Sequence, residues 1–260
     1  MTLRVEALWG TAIGVDVRDR CAPDEVAQAI DAAFAWFGRV DDLFSTWRAD
    51  SEVRRLGDGS LAIENASAEV AEVVALCATV RSETGGAFDY EFATLPNVDA
   101  RPGRGPVDPS GLVKGWALDR AAAALHAAGM RDFSINAGGD VVVRGCASPD
   151  EPWRVGIQHP WDRAAVALVV AGTDIAVATS GQYEQPGHIV DPATGDAAAS
   201  FASVTVIGRD GARCDAYATA GVVRGAAILE WIAELADFEA AAVTADGQVL
   251  FTPGFDDYRV

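Results

Sequence analysis

FSINAGGDVVVRG, residues 133–145, followed by WRVGIQHP, residues 153–160, decides how this chain is read. Both are apolar runs of strand length, and the polar residues between them mark a break, so they read as two strands separated by a turn. Inside the first, Gly138-Gly139-Asp140 lies between apolar runs and is either a plain β-turn or a site where backbone approaches a ligand. A helix is expected just before this stretch, from about Lys114 to Ala128, stopped by Gly129. After it, strands are expected at 164–171, 173–179 and 202–208, then a helix over 215–236 broken near Gly221 or Gly225. AAVTADGQVLFTP then reads as a hairpin around Asp246-Gly247.

Toward the N-terminus, residues 4–18 alternate apolar and polar and read as one strand. From Pro23 to about Trp47 the period becomes helical, with Val26, Ala29, Ile30, Ala33, Phe37, Val40 and Leu43 forming one apolar stripe. A second helix is expected from about Ala68 to Thr84, capped by Ser67 or Asn65 and stopped by Gly85-Gly86. Residues 93–111, rich in Pro and Gly, read as a loop. Strands and helices are interspersed without a βαβ rhythm. The expected class is therefore α+β, with mixed, largely antiparallel sheets and packed helices, in one domain over residues 1–260.

Composition narrows the function. Half of the 260 residues are hydrophobic and 22% are charged, as in a soluble globular protein. The net charge of -18 repels phosphate backbones and anionic lipid heads, which argues against nucleic acid or membrane as partner. No apolar run approaches the roughly 18 residues of a membrane span. The first residues, MTLRVEALWGTAIGVDV, show no signal peptide and no lipoprotein leader, so a cytoplasmic location is expected. Cys21, Cys77, Cys146 and Cys214 form no CxxC pair and suggest neither a zinc site nor a disulfide framework.

Chemistry-bearing residues concentrate in a few glycine-rich segments. Thr84-Gly85-Gly86-Ala87-Phe88-Asp89 follows a helix and is either a C-cap or a close approach to a ligand. Asp108-Pro109-Ser110-Gly111-Leu112-Val113-Lys114-Gly115 leads into a helix, where free N–H groups and a lysine suit phosphate, although the spacing is not that of a P-loop. Lys114 is the only lysine in the chain; arginine supplies every other basic side chain. Thr179-Ser180-Gly181-Gln182-Tyr183 precedes His188-Ile189-Val190-Asp191-Pro192-Ala193-Thr194-Gly195, in which His188 suits a general base titrating near neutrality. His126 and His159 read as structural. Asp215 and Thr219 lie four apart on one helix face, as a cap or as part of a hard-oxygen site of the kind Mg²⁺ accepts.

In this order, these segments resemble the FAD:protein FMN transferase family, also called the ApbE family. Trp9-Gly10-Thr11 is similar to the family's Met-Gly-Thr strand. Leu43-Phe44-Ser45-Thr46-Trp47 with Asp50-Ser51-Glu52 and Leu56 is similar to its Ser-Thr-Tyr…Asp-Ser-Glu…Leu block. Gly86-Ala87-Phe88-Asp89, GLVKGWALD (111–119), NAGGD, ATSGQY, HIVDPATG and CDAYATA each resemble a further family segment. The resemblance implies a two-lobed domain that uses Mg²⁺ to transfer the FMN half of FAD onto a threonine or serine hydroxyl of an acceptor protein, with AMP leaving. It implies metal ligands at Asp215, Thr219 and the Gly111 carbonyl, and FAD contacts at Asp108, Lys114, Ala87, Phe88, Asp89, Thr46 and Ile189. Trp9 and Trp47 would stack or pack on a ring, and His188 would take the acceptor proton. A bound cation also explains how an acidic chain holds an anionic ligand.

The sequence departs from the family's pattern at several points. Trp9 stands for methionine, Tyr90-Glu91 for Pro-Thr, and Gln182 for a common aspartate. The connection from Asp89 to Asp108 is short, and the frequent lipoprotein leader is absent. The acceptor motif the family implies, Asp/Ser-Gly-Ala-Thr/Ser-x-Thr, has no convincing copy here, so self-modification is not expected. Two other readings use the same residues. One is a metal-dependent FAD pyrophosphatase giving FMN and AMP; the other is a flavin-binding protein without turnover. A pure binder would need neither a base nor a metal site, and the chain carries candidates for both.

Overall fold

The computed structural model describes residues 1–91, 107–182, 187–198 and 200–260. Most of the loop expected at 93–111 lies outside them. The elements in chain order are β1 (Thr2–Leu8), β2 (Thr11–Val17), α1 (Pro23–Phe44), α2 (Glu52–Gly57), α3 (Ala68–Glu83), α4 (Ser110–Ala127), β3 (Phe133–Ala137), β4 (Asp140–Arg144), β5 (Trp153–His159), β6 (Asp162–Gly172), β7 (Ile175–Gly181), β8 (Ser203–Gly208), α5 (Gly211–Arg224), α6 (Ala226–Ile232), β9 (Glu239–Val243) and β10 (Val249–Phe251). Eight strands form one sheet in the order β1-β2-β3-β4-β7-β8-β9-β10, with every neighbouring pair antiparallel. β5 and β6 form a separate antiparallel hairpin.

Residues 4–18, expected as one strand, are two. Trp9 and Gly10 have φ of 56° and 74°, the left-handed pair that closes a tight hairpin between β1 and β2. FSINAGGDVVVRG is likewise a hairpin, β3–β4, closed by Gly138 and Gly139 at φ of 63° and 104°. A Cβ on Gly138 would stand 2.7 Å from Thr11 Oγ1, so the two tight turns pack against each other.

Side-chain alternation along the central strands gives the sheet two buried faces. Val142, Ala176, Ala178, Val204, Val206, Ala240 and Ala242 join the larger core, which α1, α3, α4 and α5 cover. Their neighbours Val141, Val143, Ile175, Val177, Ile207 and Ala241 face the other way and pack with Trp153, Val155, Ile157 and Val170 of the β5–β6 hairpin. The molecule is therefore three layers: helices, sheet, hairpin. The apolar stripe expected in α1 is buried in full, with Pro23 in the first turn and Asp24 and Glu25 favouring the helix N-terminus. Ser67 caps α3 through the Val70 N–H at 3.4 Å, as one of the two expected caps. Among the described residues no helix is long and apolar enough to cross a membrane.

Candidate functional site

The site lies at one end of the sheet, where the helix layer meets the start of β4 and the end of β7. Glycine brings it together. α5 approaches α4 so closely that a Cβ on Gly115 would stand 2.0 Å from the Gly211 carbonyl oxygen. A Cβ on Gly221 would stand 2.8 Å from Val204 Cγ1, so the same helix also sits tight on β8. The start of α5 is held on α4 by Asp119, whose Oδ2 accepts the Gly211 and Ala212 N–H groups at 2.7 and 3.2 Å. Its Oδ1 is buried without a hydrogen bond; Arg144 Nη2, 3.7 Å away, is too far to donate and acts as an ion partner only. Burial pushes the Asp119 carboxyl up to about 6, against the pull of the two N–H donors.

This docking sets Asp215 and Thr219 beside the first turns of α4. The Asp215 carboxylate is 3% exposed, and its Oδ2 accepts the Gly115 N–H at 3.3 Å. Asp215 is not the helix cap; Asp210 is, accepting the Arg213 N–H at 2.9 Å. Four residues on, the Thr219 hydroxyl pairs with Ser180 at 3.0 Å and would stand 3.0 Å from a Cβ at Gly111. The same Cβ would stand 3.4 Å from Phe88 Cε2, so the Phe88 ring also lies against Gly111. Phe88 arrives from the turn after α3: the Gly86 N–H reaches Arg81 O at 2.8 Å, and Phe88 N–H reaches Thr84 Oγ1 at 3.1 Å. The glycine pair is thus a helix C-cap that also delivers a ring to the site.

Lys114 forms an ion pair with Asp140, the first residue of β4, which is 2% exposed. The other Asp140 oxygen accepts the Thr179 N–H at 3.2 Å. Among the described residues, Lys114 thus lies with two buried carboxylates, Asp140 and Asp215. Burial pushes Asp215 upward to about 7, with Lys114 opposing the shift and Asp140 adding to it. The company of Asp215 is hard oxygen: the Thr219 and Ser180 hydroxyls and the Gly111 backbone. That donor set fits Mg²⁺ and not a thiolate- or imidazole-seeking ion. Among the described residues no group of three or more His, Cys, Asp or Glu is placed to hold a metal, so any ion here would rely on hydroxyl, carbonyl and ligand oxygens as well.

The other expected residues are placed as follows. Asp108 is buried and its Oδ1 accepts the Ser110 N–H at 3.0 Å, at the head of α4. Ala87 and Ile189 are buried in the larger core. Asp89 is occupied by Arg81 at 3.0 Å. Trp9 donates its indole N–H to Phe37 O at 3.1 Å and packs edge-on against the Phe37 ring. Thr46 is half-buried just past α1, and Trp47 beside it is 76% exposed. His188 is half-buried between Gly187 and Ile189, both bonded to Gln182: the Gly187 N–H reaches Gln182 Oε1 at 2.8 Å, and Gln182 Nε2 reaches Ile189 O at 2.7 Å. Asp140, Ser180 and Gly115 were not singled out as site residues by spacing. The available signal was an acid opening an apolar strand straight after two glycines, and a serine inside a segment already marked as polar.

Hard oxygens, a lysine and the head of α4 meet at one end of an antiparallel sheet in an α+β protein. The chain belongs to the ApbE family, whose sequence profile matches residues 9–102 and 97–242. A Vibrio cholerae protein named FAD:protein FMN transferase is 29% identical over 234 residues, covering 72% of this chain and 70% of that protein. A Rhodobacter capsulatus protein of the same name is 39% identical over 158 residues, 56% of this chain but 30% of its own length. Among solved structures, the Thermotoga maritima ApbE protein superposes with a TM-score of 0.86 at 22% identity, covering 100% of this chain and 99% of that one. The flavin transferase ApbE of Vibrio cholerae gives 0.81 at 24% identity, over 99% and 98%. Identities this low speak to the fold, which is shared end to end.

Proposed function

We propose that this chain, acting as one unit over residues 1–260, transfers the FMN half of FAD onto a threonine or serine hydroxyl of an acceptor protein. The acceptor oxygen forms a bond to the FMN phosphorus, the pyrophosphate P–O bond breaks, AMP leaves, and the hydroxyl proton goes to a base. The observation that carries the reading is that Asp215 and Thr219 of α5 lie against Gly115 and Gly111, in the turn of α4 that carries Lys114. Membership in the family and the names of its relatives support it.

In this reading the head of α4 and Lys114 receive the anionic end of FAD, and Asp108 fixes the first turn that presents them. Phe88 and Ala87 form the apolar wall, with Asp89 and Ile189 behind it. Trp9 shapes the turn beside Gly138, and Thr46 and the exposed Trp47 would contact FAD from the segment after α1. His188 takes the acceptor proton. Asp215, Thr219 and the Gly111 carbonyl would hold Mg²⁺, which when bound neutralises the pyrophosphate. The acceptor is proposed to present a Thr/Ser motif of the family's kind. The proposed setting is the cytoplasm, which suits four thiols joined in no disulfide.

Intact-mass spectrometry tests this. The protein is mixed with FAD, Mg²⁺ and a small acceptor domain bearing the threonine motif, with an EDTA control. The expected result is an acceptor heavier by FMN less water, only with metal present. Release of free FMN and AMP without adduct would replace transfer by hydrolysis, and intact FAD would remove both.

A further inference from the structure

Among the described residues, β5 pairs with a strand on one edge only. On β6, the Ala171 N–H reaches Tyr258 O at 2.8 Å and the Val260 N–H reaches Val169 O at 3.2 Å, so Val169 and Ala171 point away from β5. In an antiparallel ladder such residues face non-bonded partners, here Gly156 and Arg154. Their N–H and C=O groups therefore point outward from β5, and among the described residues none of them takes part in a further backbone hydrogen bond. The far edge of β6 is covered by the C-terminal residues; among the described residues nothing pairs with the far edge of β5.

That edge borders a cavity of about 230 Å³, walled by residues 155–158 on one side and by Gly138, Gly139, Val177 and Thr179 on the others. Thr179 is shared with the site, since its N–H holds the same Asp140 carboxylate that pairs with Lys114. No described residue lining the cavity carries a charge. In a chain of net charge -18, an uncharged cavity is no place for a pyrophosphate. Three of its residues are glycines, and a Cβ on Gly139 would meet nothing within 4 Å, so the wall is backbone with room in front of it.

Resting on the transferase reading, we propose that an extended segment of the acceptor protein lies in this cavity as an added strand on β5. It bonds to the outward N–H and C=O of Gly156 and brings its hydroxyl past Gly139 and Thr179 to the Lys114–Asp215 site. Backbone pairing gives the affinity, and the absence of side chains opposite selects small residues beside the modified one.

Gly156→Pro removes the outward N–H without breaking a β5–β6 bond, and proline is tolerated on an edge. The expected result is an acceptor KM raised at least tenfold, with FAD affinity in Mg²⁺ unchanged. Gly156→Ala keeps the N–H and sets its Cβ an ordinary 3.5 Å from Val166, so it costs less than proline. Hydrogen exchange on the unaltered protein is the second readout. The 153–159 amides gain protection when the acceptor domain is added and not when FAD is. Protection by FAD alone, or an unchanged acceptor KM in Gly156→Pro, overturns the proposal while leaving transfer intact. An unaltered protein that modifies no acceptor removes the transferase reading itself, and this inference with it.

Discussion

Gly115 of α4 and Gly211 of α5 meet backbone to backbone: a methyl group on Gly115 would stand 2.0 Å from the Gly211 carbonyl oxygen. No rotamer can relieve that contact, because both partners are main chain. Gly115→Ala must push α5 outward, moving Asp215 and Thr219 away from Gly111. Overpacking of this kind costs about 3 kcal/mol, which in a chain of this size lowers Tm by roughly 6–12 °C. Thermal unfolding followed by circular dichroism measures it. The folded remainder should have lost metal-dependent transfer, since the displaced residues are those proposed to hold the ion.

Thr219 offers a cleaner separation of oxygen from shape. Thr219→Val keeps the branched side chain against Gly111 and removes the hydroxyl that pairs with Ser180. A contact to a charged partner is worth about 1.5–3 kcal/mol, so metal affinity should fall roughly 10- to 100-fold. Thr219→Ser keeps the oxygen and most of the affinity. Titrating Mn²⁺ into each variant by calorimetry, without FAD, reads this independently of activity. Equal affinities across the three proteins would take Thr219 out of the ion's shell.

These residues show what the sequence could and could not disclose. α1, α3 and the hairpin at Asp246-Gly247 were legible because local signals, an apolar stripe or a turn pair, coincide with the outcome. The β1–β2 turn was hidden because tryptophan at φ of 56° is no turn signal, and alternation ran on through it. The short helix α2, residues Glu52–Gly57, has too few turns to show a period. The packing of β5–β6 over the sheet depends on contacts remote in sequence, so no local pattern predicts it. At the site, Asp215 and Thr219 were visible by spacing, whereas Asp140 enters only because β4 lies under α4.

Asp119 should make stability depend on pH. Burial lifts its folded-state value from 3.8 to about 6, so the folded protein holds the proton more tightly than the unfolded chain. The contribution is fully present below pH 3.8 and lost as pH rises through about 6. The side chain is 27% exposed, so screening holds the effect to about 1–2 kcal/mol. Asp119→Asn stays neutral and can still accept from Gly211. Its stability relative to the unaltered protein should therefore rise between pH 4 and 6 and level off above. Urea unfolding at several pH values checks the slope; a difference that is flat across that window would mean the two N–H donors already offset the burial.

Gln182 holds the loop that carries His188. Its Nε2 donates to Ile189 O at 2.7 Å and Ala198 O at 2.8 Å, while its Oε1 accepts from Gly187, so both neighbours of His188 are tied to one side chain. The family's common aspartate here would be shorter and could donate nothing; its carboxylate would face two carbonyl oxygens. The glutamine is thus not a casual exchange but the local means of closing residues 187–198 onto the end of β7. Gln182→Asp should lose about 2 kcal/mol of local stability and slow transfer at least tenfold. If Gln182 acts by placing His188, the same change made in a His188→Ala background should cost little more, and a double-mutant cycle on the transfer rate measures that directly. Losses that simply multiply would mean Gln182 supports the loop for some purpose other than the histidine.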